Sequence, residues 1–164
     1  HTLNLTHRQI EILCILALYP YGIGLEELHY ALYGERNVSL KTLKAELSQL
    51  RSLLPHSIEA RIYRLTCEVQ CDFLRAEQSL NANLISSTFS LYKGSFLSKS
   101  ESPLLSTWRH CFDARLSQLI YQIKDTDQLL RIIGQTHDRI DAVQRLLELL
   151  PQDSNYRNYF SNLI

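Results

Sequence analysis

Methionine is absent from this sequence, and tryptophan occurs once. The chain opens at His1 almost directly on a helix signal, and the expectation is that it is a segment of something larger. Long apolar runs are also missing. No stretch approaches the roughly 20 apolar residues needed to span a bilayer, and no basic start followed by an apolar stretch and a small-residue cleavage site suggests export. The expected home is therefore cytoplasmic, without membrane association. Net charge is zero, with 17 basic and 17 acidic residues, so the whole molecule is no electrostatic magnet for nucleic acid.

Chemistry-bearing motifs are missing too. There is no serine, histidine and acid arrangement, no phosphate-binding glycine loop, no paired histidines on one helix and no nucleophile elbow. His7, His29, His56 and His110 are scattered and read as surface or hydrogen-bonded side chains. The expectation is a protein that is not an enzyme and needs no cofactor or metal. Four cysteines are enough to form bridges, but a chain of this size and apolar content does not need them for stability. Cys67 and Cys71 fall in an alternation in which Leu65, Cys67, Val69 and Cys71 point one way, which reads as a half-buried strand with packing cysteines. A metal site with Cys111 or His110 has no recognisable ligand spacing.

What is present is helical periodicity. Thr6 with Gln9 three residues on forms a capping-box signal, and the first helix places Ile10, Leu13, Leu16 and Ala17 inward before Pro20. A second helix starts near Leu25 with Leu28, Ala31 and Leu32 on one face, and Gly34 is placed to close it in a left-handed conformation. Ser39 caps a third helix. Its Leu40, Leu43, Leu47, Leu50 and Leu54 are spaced three, four, three and four, so they share a face. Pro55 ends it.

"RIYRLTCEVQCDF", residues 61–73, then switches to alternation and is rich in strand formers. From Asp72 the pattern returns to helices near Phe73–Leu80, Leu84–Tyr92, Leu104–Lys124, Asp127–Ile133, Arg139–Leu150 and Ser154–Leu163, separated by Gly94, "SKSESP", Gly134 and Pro151. Ser102 followed by Pro103 is a strong helix start. Trp108 reads as an anchor of the second core, with a docking hot spot as the alternative. Tyr156, Tyr159 and Phe160 read as a cluster that closes the helical stack or forms an exposed patch.

Charge is unevenly spread. Residues 1–35 hold one basic side chain, Arg8, against four acidic ones, Glu11, Glu26, Glu27 and Glu35. Residues 36–64 hold Arg36, Lys41, Lys44, Arg51, Arg61 and Arg64 against only Glu46 and Glu59. The positive charge is concentrated around the third helix. At 100° per residue, Lys41, Lys44, Ala45, Ser48 and Gln49 lie opposite its leucines, with Arg51 and Ser52 flanking them.

Taken together, "LTHRQIEILCILALYPYGIGLEELHYALYG", "TLKAELSQLRSLLP" and "YRL" resemble the winged helix of OmpR/PhoB-type transcriptional regulators over Leu5 to Asp72. "LYKGSFL", "TWRHCFDARL" and "DAVQRLLELLP" resemble the helical, TPR-like bacterial transcriptional activator domain that follows such a winged helix.

The resemblance implies a mainly α fold: a winged helix-turn-helix of three helices plus a short β-hairpin wing in residues 1–72, then an α-helical hairpin array in residues 73–164. It also implies sequence-specific binding of double-stranded DNA, with the third helix in the major groove and the helical part contacting RNA polymerase or self-associating. The alternative is a winged-helix module that binds protein and not DNA.

Long basic side chains on this face can reach phosphates or guanine edges, Gln49 can pair with adenine, and small Ala45 and Ser48 permit close approach. Ser39 and Thr42 lie near the positive end of the helix and suit a phosphate, and Arg36, Arg61 and Arg64 are expected on the backbone or minor groove. Three departures from the family stand out. Glu46 lies in the recognition helix beside the leucine stripe, where an arginine neighbour could pair with it. The wing reads "EARIY" without the usual glycines. The sheet that precedes the first helix is reduced to the trace "LNL".

Overall fold

The computed structural model describes residues 3–136 and 138–161. Among them the chain is mainly helical, with nine helices and one two-stranded antiparallel sheet. It divides into two compact units. One runs through Cys71 and also takes in Leu97–Trp108, while the other comprises Asp72–Phe96 and the described residues from Arg109 onward. Residues 97–108, which the sequence places with the second half, thus belong by compactness to the first unit. Leu105 is buried in its core and Leu104 and Leu97 pack against it.

In the first unit, helix α1 (His7–Leu18) begins where the Thr6 hydroxyl accepts from the Gln9 amide at 3.2 Å and the Gln9 side chain accepts from the Thr6 amide at 3.0 Å. These two bonds satisfy amides that a helix start leaves open. Its buried face is Ile12, Ile15 and Leu16, whereas Ile10, expected inside, is 38% exposed. The helix is turned so that Gln9 and Glu11 are also buried.

The turn to α2 (Leu25–Tyr33) depends on Gly22. Its φ is +94°, and a Cβ there would lie 2.3 Å from Ile62 Cγ2. That close approach lets Ile23 pair with Tyr63 through backbone bonds of 3.0 and 2.9 Å. Leu28, Ala31 and Leu32 are buried as expected. Gly34 closes α2 with φ 60° and ψ −131°, which is not the expected left-handed helical region but one that essentially only glycine adopts.

Helix α3 (Leu40–Leu53) is capped by the Ser39 hydroxyl, which accepts from the Lys41 amide at 3.0 Å. Leu43, Leu47 and Leu50 are buried, while Leu40 at one end is exposed and Leu54 at the other is half-buried. A hairpin follows, made of β1 (Ile58–Glu59) and β2 (Arg64–Leu65), with Ile58 opposite Leu65 and Glu59 opposite Arg64.

The strand expected through Asp72 stops at Leu65 because its partner runs out. Thr66 bonds to the carbonyls of Ser57 and His56, and beyond these Pro55 leads straight back into α3. Residues 66–71 form no strand, so Cys67 is exposed rather than packed, and Cys71 is half-buried. The "LNL" trace is likewise not a strand.

In the second unit, α4 (Asp72–Asn81) packs on α5 (Ile85–Leu91), α5 on α7 (Thr126–Gln135), α7 on α8 (Ile140–Leu149) and α8 on α9 (Asn155–Ser161). Helix α6 (Pro103–Gln122) starts at Pro103, where Ser102 accepts from the Leu105 amide and donates to the Ala31 carbonyl. Gly134, read as a separator, lies inside α7. Leu163, expected at the end of the last helix, falls outside the described residues; within them α9 ends at Ser161.

Trp108 is half-buried and belongs to the first unit. The second core is anchored instead by Phe89, Tyr92 and Phe112, with Tyr92 and Phe112 stacked at 6.2 Å and Phe96 edge-on to both. Of the terminal aromatics, Phe160 is buried while Tyr156 and Tyr159 are exposed.

Candidate nucleic-acid interface

Helix α3 separates two chemistries cleanly. Leu43, Leu47 and Leu50 are sunk in the core, and Lys41, Thr42, Lys44, Ala45, Ser48, Gln49 and Arg51 are all exposed. Burial of three leucines, each worth about 1.5–3 kcal/mol, fixes which edge faces out. Lys41, Lys44 and Arg51 have no ion-pair partner among the described residues, so their charge is uncommitted. Ser52 donates to the Ser48 carbonyl at 3.0 Å, leaving the Ser48 hydroxyl on an open face. The stripe is a row of small, amide and cationic groups on a rigid cylinder, able to donate to phosphate oxygens and to base edges.

The remaining expected residues divide. Arg61 lies at the hairpin tip with φ 83°, exposed and without an ion pair among the described residues. Arg64 is tied to Glu59 across the hairpin. Arg36 donates to the Glu101 carboxylate at 2.8 Å and to the Glu101 carbonyl at 2.6 Å. Both pairs are solvent-exposed and so worth little, about 0–1 kcal/mol, but each supplies a carboxylate that competes with phosphate. The Ser39 hydroxyl oxygen is already occupied as the helix cap, and its neighbour Thr42 is free of that duty.

Among the described residues Glu46 has no arginine ion pair. One of its carboxylate oxygens is buried without any hydrogen bond. It faces the core side near Tyr33, whose hydroxyl is pushed above its ordinary pKa first by burial, with Arg8 opposing and Glu46 and Glu11 adding. Arg8 lies over the Tyr33 ring at 4.6 Å and pairs with Glu11 at 2.6 Å, and Glu11, only 1% exposed, accepts from Ser100 at 2.5 Å. This buried group braces α1, directly packed on α3, against the segment before α6.

Two partners in these networks, Glu101 and Ser100, were not singled out by sequence. They sit in "SKSESP", which reads as a separator, and no local pattern marks a residue whose partner is 65 or 89 positions away.

His29 bonds the Val38 carbonyl at 2.7 Å through Nε2 and is half-buried, a structural role. Among the described residues no three His, Cys, Asp or Glu side chains converge as a metal site requires, and no helix is long and apolar enough to cross a membrane. No protein-family model matches the chain, and no curated protein matches it either.

Proposed function

We propose that the chain is a sequence-specific double-stranded DNA-binding transcriptional regulator whose first unit is a winged helix. Helix α3 lies in the major groove, and the β1–β2 hairpin is the wing, with Arg61 at its tip on the backbone or minor groove. The second unit serves self-association or contact with RNA polymerase. In this reading the protein is cytoplasmic, is not an enzyme and uses no cofactor.

One observation carries the reading: the exposed edge of α3 pairs three uncommitted cations with Ala45, Ser48 and Gln49, while its opposite edge is locked in the core. A helix of this diameter fits the major groove of B-DNA.

Titration of the protein with random genomic DNA fragments at two salt concentrations tests this. Four free cations, Lys41, Lys44, Arg51 and Arg61, predict a log–log salt slope of roughly 3 to 4, and Lys41→Ala with Lys44→Ala lowers it by roughly 2. Unchanged binding in that double variant moves the interface elsewhere.

The second reading, a protein-binding module, is favoured by the pairing of Arg36 with Glu101 and of Arg64 with Glu59 and by the zero net charge. Absence of any salt-weakened DNA binding selects it.

A further inference from the structure

The acidic side of the first unit is not used by the DNA-binding reading, and it holds a groove. About 760 Å³ in volume, the groove runs between α2 and the opening residues of α6. Ile23, Ala31, Pro103 and Leu104 line it with apolar surface, Tyr19 and Tyr30 stand at it, and Glu26 and Glu27 supply its charge. Among the described residues no lysine, arginine or histidine lines it. Tyr30 is 63% exposed, and Tyr21, in the turn that leads into the groove, is 93% exposed.

Tyrosines are enriched at the centres of protein interfaces. Glu27 spends one carboxylate oxygen on the Gly24 amide at 3.1 Å, whereas Glu26 has no ion-pair partner among the described residues. Arg64, whose Cβ lies beside Gly22 of the groove, is already paired with Glu59.

We propose that this groove docks a basic segment of a partner protein: a peptide stretch that places one aliphatic or aromatic side chain on the Ile23–Leu104 floor, with flanking arginines or lysines on Glu26, Glu27 and the tyrosine faces. Charge complementarity selects this occupant. The carboxylates repel nucleic acid and acidic peptides, and guanidinium groups gain from both the carboxylates and the aromatic faces. The volume is that of an ordinary binding cleft, enough for an anchor and its flanks. The proposal stands whether or not α3 binds DNA.

The test titrates the full chain, by fluorescence anisotropy, with short labelled peptides in which arginines surround a single leucine, phenylalanine or tryptophan, and with counterparts carrying glutamate for every arginine. The arginine peptides bind and the glutamate peptides do not. Tyr30→Ser and Glu26→Lys each weaken binding about tenfold or more, while Glu68→Lys, an exposed acid outside the groove, leaves it unchanged. The proposal is overturned if no arginine peptide binds, if Tyr30→Ser has no effect, or if Glu68→Lys weakens binding as much as Glu26→Lys. It is equally overturned if sedimentation shows a dimer that Glu26→Lys dissociates, since the occupant is then a second copy.

Discussion

In the first unit Lys41, Lys44 and Arg51 stand in solvent without an acidic partner among the described residues, whereas in the second Arg139 is 8% exposed and held by Asp113 at 3.6 Å, by Asp141 and by the Ser117 hydroxyl at 2.8 Å. Exposed cations cost little unpaired, because water solvates them. A buried one is tolerated only with its counter-charges and hydrogen bonds in place. The same residue class is therefore available for a ligand in one unit and committed to architecture in the other. The comparison separates substitutions that change function from those that change stability.

The sharpest break is Arg139→Ala. Removing the cation takes from Asp113 and Asp141 the counter-charge they share, and burial already holds the Asp113 carboxyl above its usual range, with Arg139 the first of the groups opposing that rise. A loss on the order of 3–5 kcal/mol is expected in urea denaturation. A loss within about 0.5 kcal/mol, the range of ordinary surface substitutions, breaks the contrast.

Tyr92→Phe sharpens it further. The Tyr92 hydroxyl donates to Asp138 at 2.8 Å, and its pKa is raised, first by burial and then by that bond. Because the folded pKa lies above the unfolded value, stability is fully present below about pH 10 and falls as pH climbs above it. The variant should lose about 1 kcal/mol at neutral pH, and its stability should decline less between roughly pH 9 and 11 than that of the unaltered chain. Parallel declines would contradict the role given to this hydroxyl.

At the small end, Lys41→Ala with Lys44→Ala should shift the denaturation midpoint by less than about 0.5 kcal/mol. A larger shift would mean that the exposed edge of α3 is structural.

Much of this architecture is legible in the sequence because its causes are local. Thr6 with Gln9, Ser39 before the leucine stripe, and Ser102 before Pro103 each mark a helix start through bonds made within a few residues. The stripe itself states which edge of α3 is buried.

Other features were not legible because their causes are distant. The alternation in residues 65–71 looks like a strand, yet a strand needs a partner, and the one available ends at Ser57. Ile10 and Ile12 satisfy helical spacing about equally well, and only packing of α1 on α2 and α3 decides that Ile12 goes inside. Arg36 looks free in sequence until Glu101 is brought to it by the segment before α6. Arg139 carries no mark of burial, since Asp113 and Ser117, which help to hold it, lie far back along the chain on α6.

The most direct measurement is selection of bound duplexes from a random-sequence DNA pool, performed with the unaltered chain and with Lys44→Ala and Gln49→Ala. The account predicts one enriched motif for the unaltered chain, relaxed at a single base position by Gln49→Ala, at a cost of about 1–3 kcal/mol of discrimination there. Failure to enrich any motif, or an identical motif in both variants, would contradict the claim that the outer edge of α3 reads the duplex.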